Sequence, residues 1–74
     1  MDGEQIVLVT GASSGIGKAA AELFARRGYV VYGTSRHGQY EKVGPDGAAF
    51  TLLPMTLQDE ATIEAAVKYV LDRH

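Results

Sequence analysis

Hydrophobic residues in the first part of the chain follow two different periods. Residues 5–10 read QIVLVT, an uninterrupted aliphatic run that ends at Gly11 and is typical of a strand buried on both faces of a parallel sheet. From residue 16 the apolar positions recur every three or four residues, which predicts a helix over residues 15–27 that ends before Gly28. The expected buried face of this helix is formed by Ile16, Ala19, Ala20, Leu23 and Phe24.

The same alternation continues along the rest of the chain. Residues 29–34 (YVVYGT) and 48–55 (AAFTLLPM) predict two further strands, and the polar, glycine-rich residues 35–47 predict a loop with one helical turn over 39–43. A second helix is predicted from Asp59 onward. Its expected buried face is formed by Ile63, Ala66, Val67, Val70 and Leu71. A strand, a helix and a strand within about thirty residues form a βαβ unit with parallel strands.

Composition limits the classes of protein to consider. The chain has 74 residues, no cysteine and a formal net charge of −2, which predicts one small domain without disulfides and argues against nucleic acid as a partner. The acidic start and short apolar runs predict neither a signal peptide nor a membrane span, so we expect a cytoplasmic protein. His37 and His74 are isolated in the sequence, and no metal site is predicted.

The segment most suited to chemistry is TGASSGIG at residues 10–17, between the first strand and the first helix. A helix N-terminus offers unpaired N–H groups and about half a unit of positive charge, which suits a phosphate. Glycines allow the backbone to approach a ligand closely. Ser13 and Ser14 have hydroxyl groups that suit either a phosphate or a helix cap. A tight turn that binds nothing is the alternative interpretation of the glycines.

Three phosphate-binding motifs were compared with this loop. A P-loop requires G-x-x-x-x-G-K-S/T, but Ala12 and Ala19 stand at two of the required positions. The G-x-G-x-x-A spacing starts several residues after the strand rather than directly after it. The pattern T-G-x-x-x-G-x-G is met in full, by Thr10, Gly11, Gly15 and Gly17.

With this loop and the string TGASSGIGKAAAELFARRGYVVYGTSR, the sequence resembles the short-chain dehydrogenase/reductase family. The resemblance covers essentially all 74 residues but only the first part of that family's catalytic domain. It implies an α/β, partial Rossmann fold: a parallel three-stranded sheet in the order 3-2-1 with two main helices, forming residues 1–74 as one truncated dinucleotide-binding domain. In the loop it implies cofactor contacts from Gly11, Ser13, Ser14, Gly15, Ile16 and Gly17.

The end of the second predicted strand indicates which cofactor is preferred. NAD-binding Rossmann proteins place a carboxylate there, about 20 residues after the loop, to accept the ribose hydroxyls. Residues 33–37 read GTSRH, without an acid, and Arg36 can instead pair with a 2′-phosphate. The resemblance implies the same preference for Ser35 followed by Arg36. We therefore expect NADP(H) in preference to NAD(H), with a solvated loop charge as the alternative role of Arg36.

The resemblance also implies an adenine contact after the third strand. The family usually has an aspartate there that contacts the adenine amino group, and Thr56 stands at that position, followed by Leu57. A threonine hydroxyl still accepts one hydrogen bond. We therefore expect Thr56 and Leu57 to be cofactor-binding residues.

Hydride transfer in this family uses a Tyr-x-x-x-Lys pair and a serine, which lie far downstream of the glycine loop. The residues four positions after the four tyrosines are Gly33, Arg36, Gly44 and Arg73, so no such pair is present and no catalytic residue is expected. We interpret the chain as an NADP(H)-binding fragment that is inactive alone. The alternatives are a stand-alone nucleotide-binding module and a self-associating remnant without ligand. In the order 3-2-1 the first strand lies at an open edge, which predicts a homodimer.

Overall fold

The computed structural model describes residues 5–13, 15–36 and 39–74. It is an α/β fold in which two helices cover opposite faces of one sheet, as the α/β prediction requires. The elements in chain order are β1 (Ile6–Val9), α1 (Gly15–Arg26), β2 (Val30–Ser35), β3 (Glu41–Val43), β4 (Phe50–Pro54) and α2 (Glu60–Arg73). Neither helix is long and apolar enough to cross a membrane within these ranges.

The sheet has four strands in the order β1-β2-β4-β3, so the prediction of a purely parallel three-stranded sheet is wrong. The three predicted strands correspond to β1, β2 and β4. These strands are parallel, and they lie side by side in the predicted order, with β2 in the middle. The additional strand, β3, is antiparallel to β4 and pairs Glu41 with Leu52 and Val43 with Phe50. It occupies the segment in which one helical turn was predicted.

The strand β3 forms because the hairpin turn that follows it places β4 alongside it, antiparallel. Gly44 and Gly47 have φ angles of 103° and 84°, a left-handed conformation that glycine adopts without strain. The Ala48 N–H donates to the Pro45 carbonyl across the turn at 2.9 Å. A three-residue strand with two charged side chains has no apolar run of its own, so its structure depends on the neighbouring strand rather than on local sequence.

The predicted buried face of α1 is also wrong. Ile16 is 89% exposed and Leu23 is 46% exposed, whereas Ala21 is fully buried. Ala21 and Ala25 pack on the α1 face of the sheet against Val31 and its neighbours. Small side chains allow a helix to approach the sheet closely, so this short helix packs through its alanines rather than through its largest apolar residues.

The opposite face of the sheet is covered by α2. Ala66 is buried against Tyr32 and Leu53, while Val67 and Leu71 are 50% and 68% exposed. Only part of the predicted apolar face therefore contacts the sheet. Between β1 and α2 the exposed part borders an apolar depression of about 140 Å³, which we call the β1 groove. Its walls are formed by Ile6, Leu8, Tyr32, Met55, Ala66, Val67, Val70 and Leu71.

Candidate functional site

The carboxyl ends of the three parallel strands are tied together by backbone hydrogen bonds. The Ala12 N–H, in the glycine loop, donates to the Thr34 carbonyl at 2.8 Å, and the Met55 N–H donates to the Ser35 carbonyl at 3.0 Å. The loop after β1 and the segment after β4 are thereby held on either side of the end of β2. Parallel sheets bind ligands at this edge, outside the carboxyl ends of their strands.

The glycine loop has a conformation that other residues would not tolerate. Gly11 and Gly15 have φ angles of 64° and 61°, and a Cβ atom added to either would find no atom of the other described residues within 4 Å, its chain neighbours aside. By contrast, a Cβ on Gly17 would lie 2.1 Å from the Gly11 carbonyl oxygen. The first turn of α1 is therefore packed against the loop backbone, while the outer side of the loop is open to a ligand.

A glycine in β2 has a complementary role that the sequence interpretation missed. A Cβ on Gly33 would lie 2.4 Å from the Cβ of Ala12, which is itself buried. The absence of a side chain at position 33 thus allows the glycine loop to lie directly on the sheet. An isolated glycine within a strand often marks such a close approach, and that signal was present in the sequence.

The tied strand ends enclose an open cleft of about 340 Å³, which we call the strand-end cleft. Four of the predicted site residues line it together: Gly11, Ser35, Arg36 and Leu57. Four further lining residues were not predicted as site residues: Thr10, Thr34, Met55 and Gln58. Thr10, Thr34 and Met55 lie at the end of a parallel strand or directly after it, so strand topology was the signal that would have found them, whereas Gln58 lies in the turn that follows β4.

The other predicted site residues lie around this cleft rather than in its wall. Ser13 borders a separate cavity of about 260 Å³ on the α1 side, together with Lys18 and Gly44. Ile16 points away from the sheet, as its exposure shows. Thr56 uses its backbone N–H and carbonyl to bond the Thr62 hydroxyl, at 2.9 and 3.0 Å. Ser14 lies outside the described residues.

Comparison with known proteins identifies the family. The family model described as short chain dehydrogenase matches residues 5–74. The chain belongs to the short-chain dehydrogenase family. It is 36% identical over 67 residues to a 3-ketodihydrosphingosine reductase of Bacteroides thetaiotaomicron. The matched region covers 90% of this chain and 23% of that protein.

Two further relatives match the chain to a similar extent. The chain is 42% identical over 65 residues to short-chain dehydrogenase PC-15 of Penicillium crustosum, covering 86% of this chain and 24% of that protein. It is 41% identical over 73 residues to the 3-oxoacyl-(acyl-carrier-protein) reductase FabG of Vibrio cholerae, covering 92% and 29% respectively. The chain therefore spans about a quarter of the length of the curated relatives it matches.

Short-chain dehydrogenases bind nicotinamide dinucleotides, and the residues of this chain fit such a group. The first turn of α1 contains no acidic side chain, so the positive end of the helix is not neutralised locally. The loop glycines leave open space above their backbone. Thr34 is 3% exposed, lines the cleft, and forms no side-chain hydrogen bond within the described part of the chain. A buried hydroxyl of this kind is suited to a polar ligand.

The electrostatics of the strand-end cleft favour an anion. Arg36 is exposed, lines the cleft, and forms no ion pair with any residue in the described ranges. No carboxylate is among the residues that line the cleft in the described part of the structure. The described residues also contain no group of three or more side chains suited to holding a metal ion.

Proposed function

We propose that these residues form the adenosine- and pyrophosphate-binding part of an NADP(H)-dependent short-chain dehydrogenase. The observation that carries the proposal is the position of Arg36, a cation without an ion-pair partner among the described residues, in the cleft beside the glycine loop. A guanidinium forms strong charge-assisted hydrogen bonds with a phosphate. A carboxylate at the same place would instead repel a 2′-phosphate.

The parts of the cofactor are assigned to different elements. The N–H groups at the start of α1, with Gly11 and Gly15, bind the pyrophosphate. Ser35 and Arg36 bind the phosphorylated ribose, and the adenine lies in the strand-end cleft near Leu57. When bound, the nicotinamide of such a cofactor gives or accepts a hydride.

The activity assigned to these residues is binding alone. None of the four tyrosines is followed four positions later by lysine, the arrangement that lowers the pKa of the tyrosine in a general acid of this family. Within the 74 residues we therefore propose no group that transfers a proton to a substrate. We propose no substrate for the same reason.

The cofactor preference is tested by the substitution Arg36→Asp. We expect it to weaken NADPH binding by tenfold or more while NADH binding changes much less, because charge-assisted hydrogen bonds contribute about 1.5–3 kcal/mol. Arg27→Asp, at the far end of α1, makes the same change of charge and should leave both affinities unchanged. Equal loss of NADPH affinity in the two variants would reject the proposed role of Arg36.

We also propose that a second copy of the chain covers the β1 groove. Among the described residues β1 is the last strand of the sheet and has a neighbouring strand on one side only. Its side chains Ile6 and Leu8 are 41% and 54% exposed beside Val67 and Leu71. No charged residue lines the groove in the described structure. Two such edges pair antiparallel about a two-fold axis, which places each apolar groove against the same surface of the other copy.

A further inference from the structure

The turn between β4 and α2 is held rigid by hydrogen bonds. The Asp59 N–H donates to the Thr56 carbonyl at 3.0 Å, which makes Leu57 and Gln58 the two central residues of the turn. The Thr62 hydroxyl oxygen accepts from the Thr56 N–H at 2.9 Å and lies 2.7 Å from the Asp59 carbonyl. Asp59 also caps α2, accepting from the Ala61 N–H at 3.1 Å. The turn is therefore fixed at both ends.

This rigid turn presents its two central side chains to the strand-end cleft. Leu57 and Gln58 both line the cleft, and Leu57 is 73% exposed although it is a large apolar residue. Thr56 bonds the Thr62 hydroxyl through its backbone N–H and carbonyl, and it is not among the residues that line the cleft in the described part of the chain. The side chains available to a base in the cleft thus come from the turn, one and two positions after the residue at which the family resemblance places the adenine contact.

Gln58 differs chemically from every other side chain of the described cleft wall. Thr34 and Ser35 are short and buried at the strand ends, Thr10 is exposed but has only a short hydroxyl side chain, and Arg36 only donates hydrogen bonds. Gln58 is long and exposed, and its amide both donates and accepts. An amide of this type forms a two-point contact with adenine, accepting from the exocyclic amino group and donating to a ring nitrogen.

We propose that Gln58 recognises the edge of the adenine base, while Leu57 and Met55 supply the apolar surface against the ring. This inference rests on the proposed dinucleotide function and adds to it a residue that determines base specificity. It transfers the adenine contact from Thr56, which the sequence predicted, to the turn that Thr56 anchors. Gln58 forms the contact through its side chain, so its substitution leaves the backbone bonds of the turn in place.

The test is calorimetric titration of NADPH into the whole chain and three variants. Gln58→Ala removes both hydrogen bonds, and we expect it to weaken NADPH binding about tenfold. Gln58→Glu retains an acceptor for the adenine amino group but loses the donor, so we expect an intermediate loss. Gln5→Ala, at the opposite end of the sheet, is the matched control and should bind as the original chain does.

A cofactor with an altered base separates a base contact from a general disturbance of the cleft. In the hypoxanthine analogue of NADPH a carbonyl oxygen replaces the amino group. Gln58→Glu should bind this analogue at least about tenfold more weakly than it binds NADPH, because two acceptors then face each other, whereas the original amide can turn its N–H group toward the oxygen. A purely structural role of Gln58 would give the same ratio of affinities in both proteins.

Two results would overturn the inference. If Gln58→Ala binds NADPH as tightly as the original chain while Arg36→Asp does not, Gln58 has no contact with the base and the proposed function stands. If the original chain binds neither NADPH nor NADH, the proposed function and this inference fail together. Unchanged thermal midpoints of the Gln58 variants would show that the comparison is made between folded proteins.

Discussion

The strand-end cleft and the β1 groove open on the same face of the sheet and share Met55, but they differ in the polar groups that line them. Thr34 lines the cleft and Tyr32, two residues earlier in β2, lines the groove, so the two regions are adjacent along one strand. The cleft combines glycines, hydroxyls and an arginine, whereas the groove is aliphatic and aromatic. The cleft is suited to a small charged ligand, and the groove is suited to another protein surface.

The two proposals, ligand binding in the strand-end cleft and self-association through the β1 groove, therefore rest on different residues of one short chain. We assign ligand binding to the glycine-loop backbone, where positive φ angles and close packing exclude most side chains, and to the side chains of Arg36 and Gln58 in the cleft. We assign self-association to the side chains that the edge strand β1 leaves exposed. We therefore expect variants in the cleft to leave self-association unchanged, and variants in the groove to leave ligand binding unchanged.

The largest effect is expected from Gly17→Ala. Its Cβ would lie 2.1 Å from the Gly11 carbonyl oxygen, so the loop or the helix must shift, and we expect NADPH binding to be lost and stability to fall by about 2 kcal/mol or more. Gly28→Ala is the control, because its φ of 93° is strained but its Cβ has open space. It should cost about 1 kcal/mol and leave cofactor affinity intact. Calorimetry and urea unfolding measure both quantities.

The next effect concerns the β1 groove. Leu8→Lys places a charge at the centre of the exposed edge. If the proposed homodimer forms through the β1 groove, we expect this variant to be a monomer in sedimentation equilibrium while NADPH affinity is unchanged. Leu23→Lys makes the same substitution at a comparably exposed leucine of α1 and should leave the dimer intact. Loss of dimer in both variants, or in neither, would reject the assignment of the interface to this groove.

The smallest effect is expected at the anchor of the turn. Thr62→Val retains the shape of the side chain but removes the hydroxyl that bonds Thr56, and we expect a loss of about 1 kcal/mol in the free energy of unfolding with a several-fold weaker NADPH affinity. Thr51→Val, in β4, is the matched control and should change neither. An unchanged affinity in Thr62→Val would show that the turn does not position the adenine contact.

Periodicity and the glycine motif were sufficient to predict the two helices, the three parallel strands and the order of those three strands in the sheet. They failed where structure depends on contacts distant in sequence. The three residues of β3 have no apolar pattern, and their pairing with β4 requires the turn at Gly44. The prediction of the buried face of α1 was wrong because the small size of the alanine side chains, rather than the hydrophobicity of the larger ones, decides which side of the helix approaches the sheet.

The residues of the candidate site divide in the same way, into those that have a local sequence signal and those that do not. Gly11 and Arg36 could be identified because a loop before a helix and a strand end have recognisable sequence signals. Gln58 could not, since its place in the cleft follows from the hydrogen bonds that Thr62 makes across six residues. Residues whose position depends on a network of this kind have no local signature.

The most direct test of the central claim is a calorimetric comparison of NADPH and NADH binding to the original chain under identical conditions. The position of Arg36 beside the glycine loop, in a cleft wall where the described residues include no carboxylate, predicts that NADPH binds at least about tenfold more tightly than NADH. Equal affinities for the two cofactors, or tighter binding of NADH, would contradict the claim.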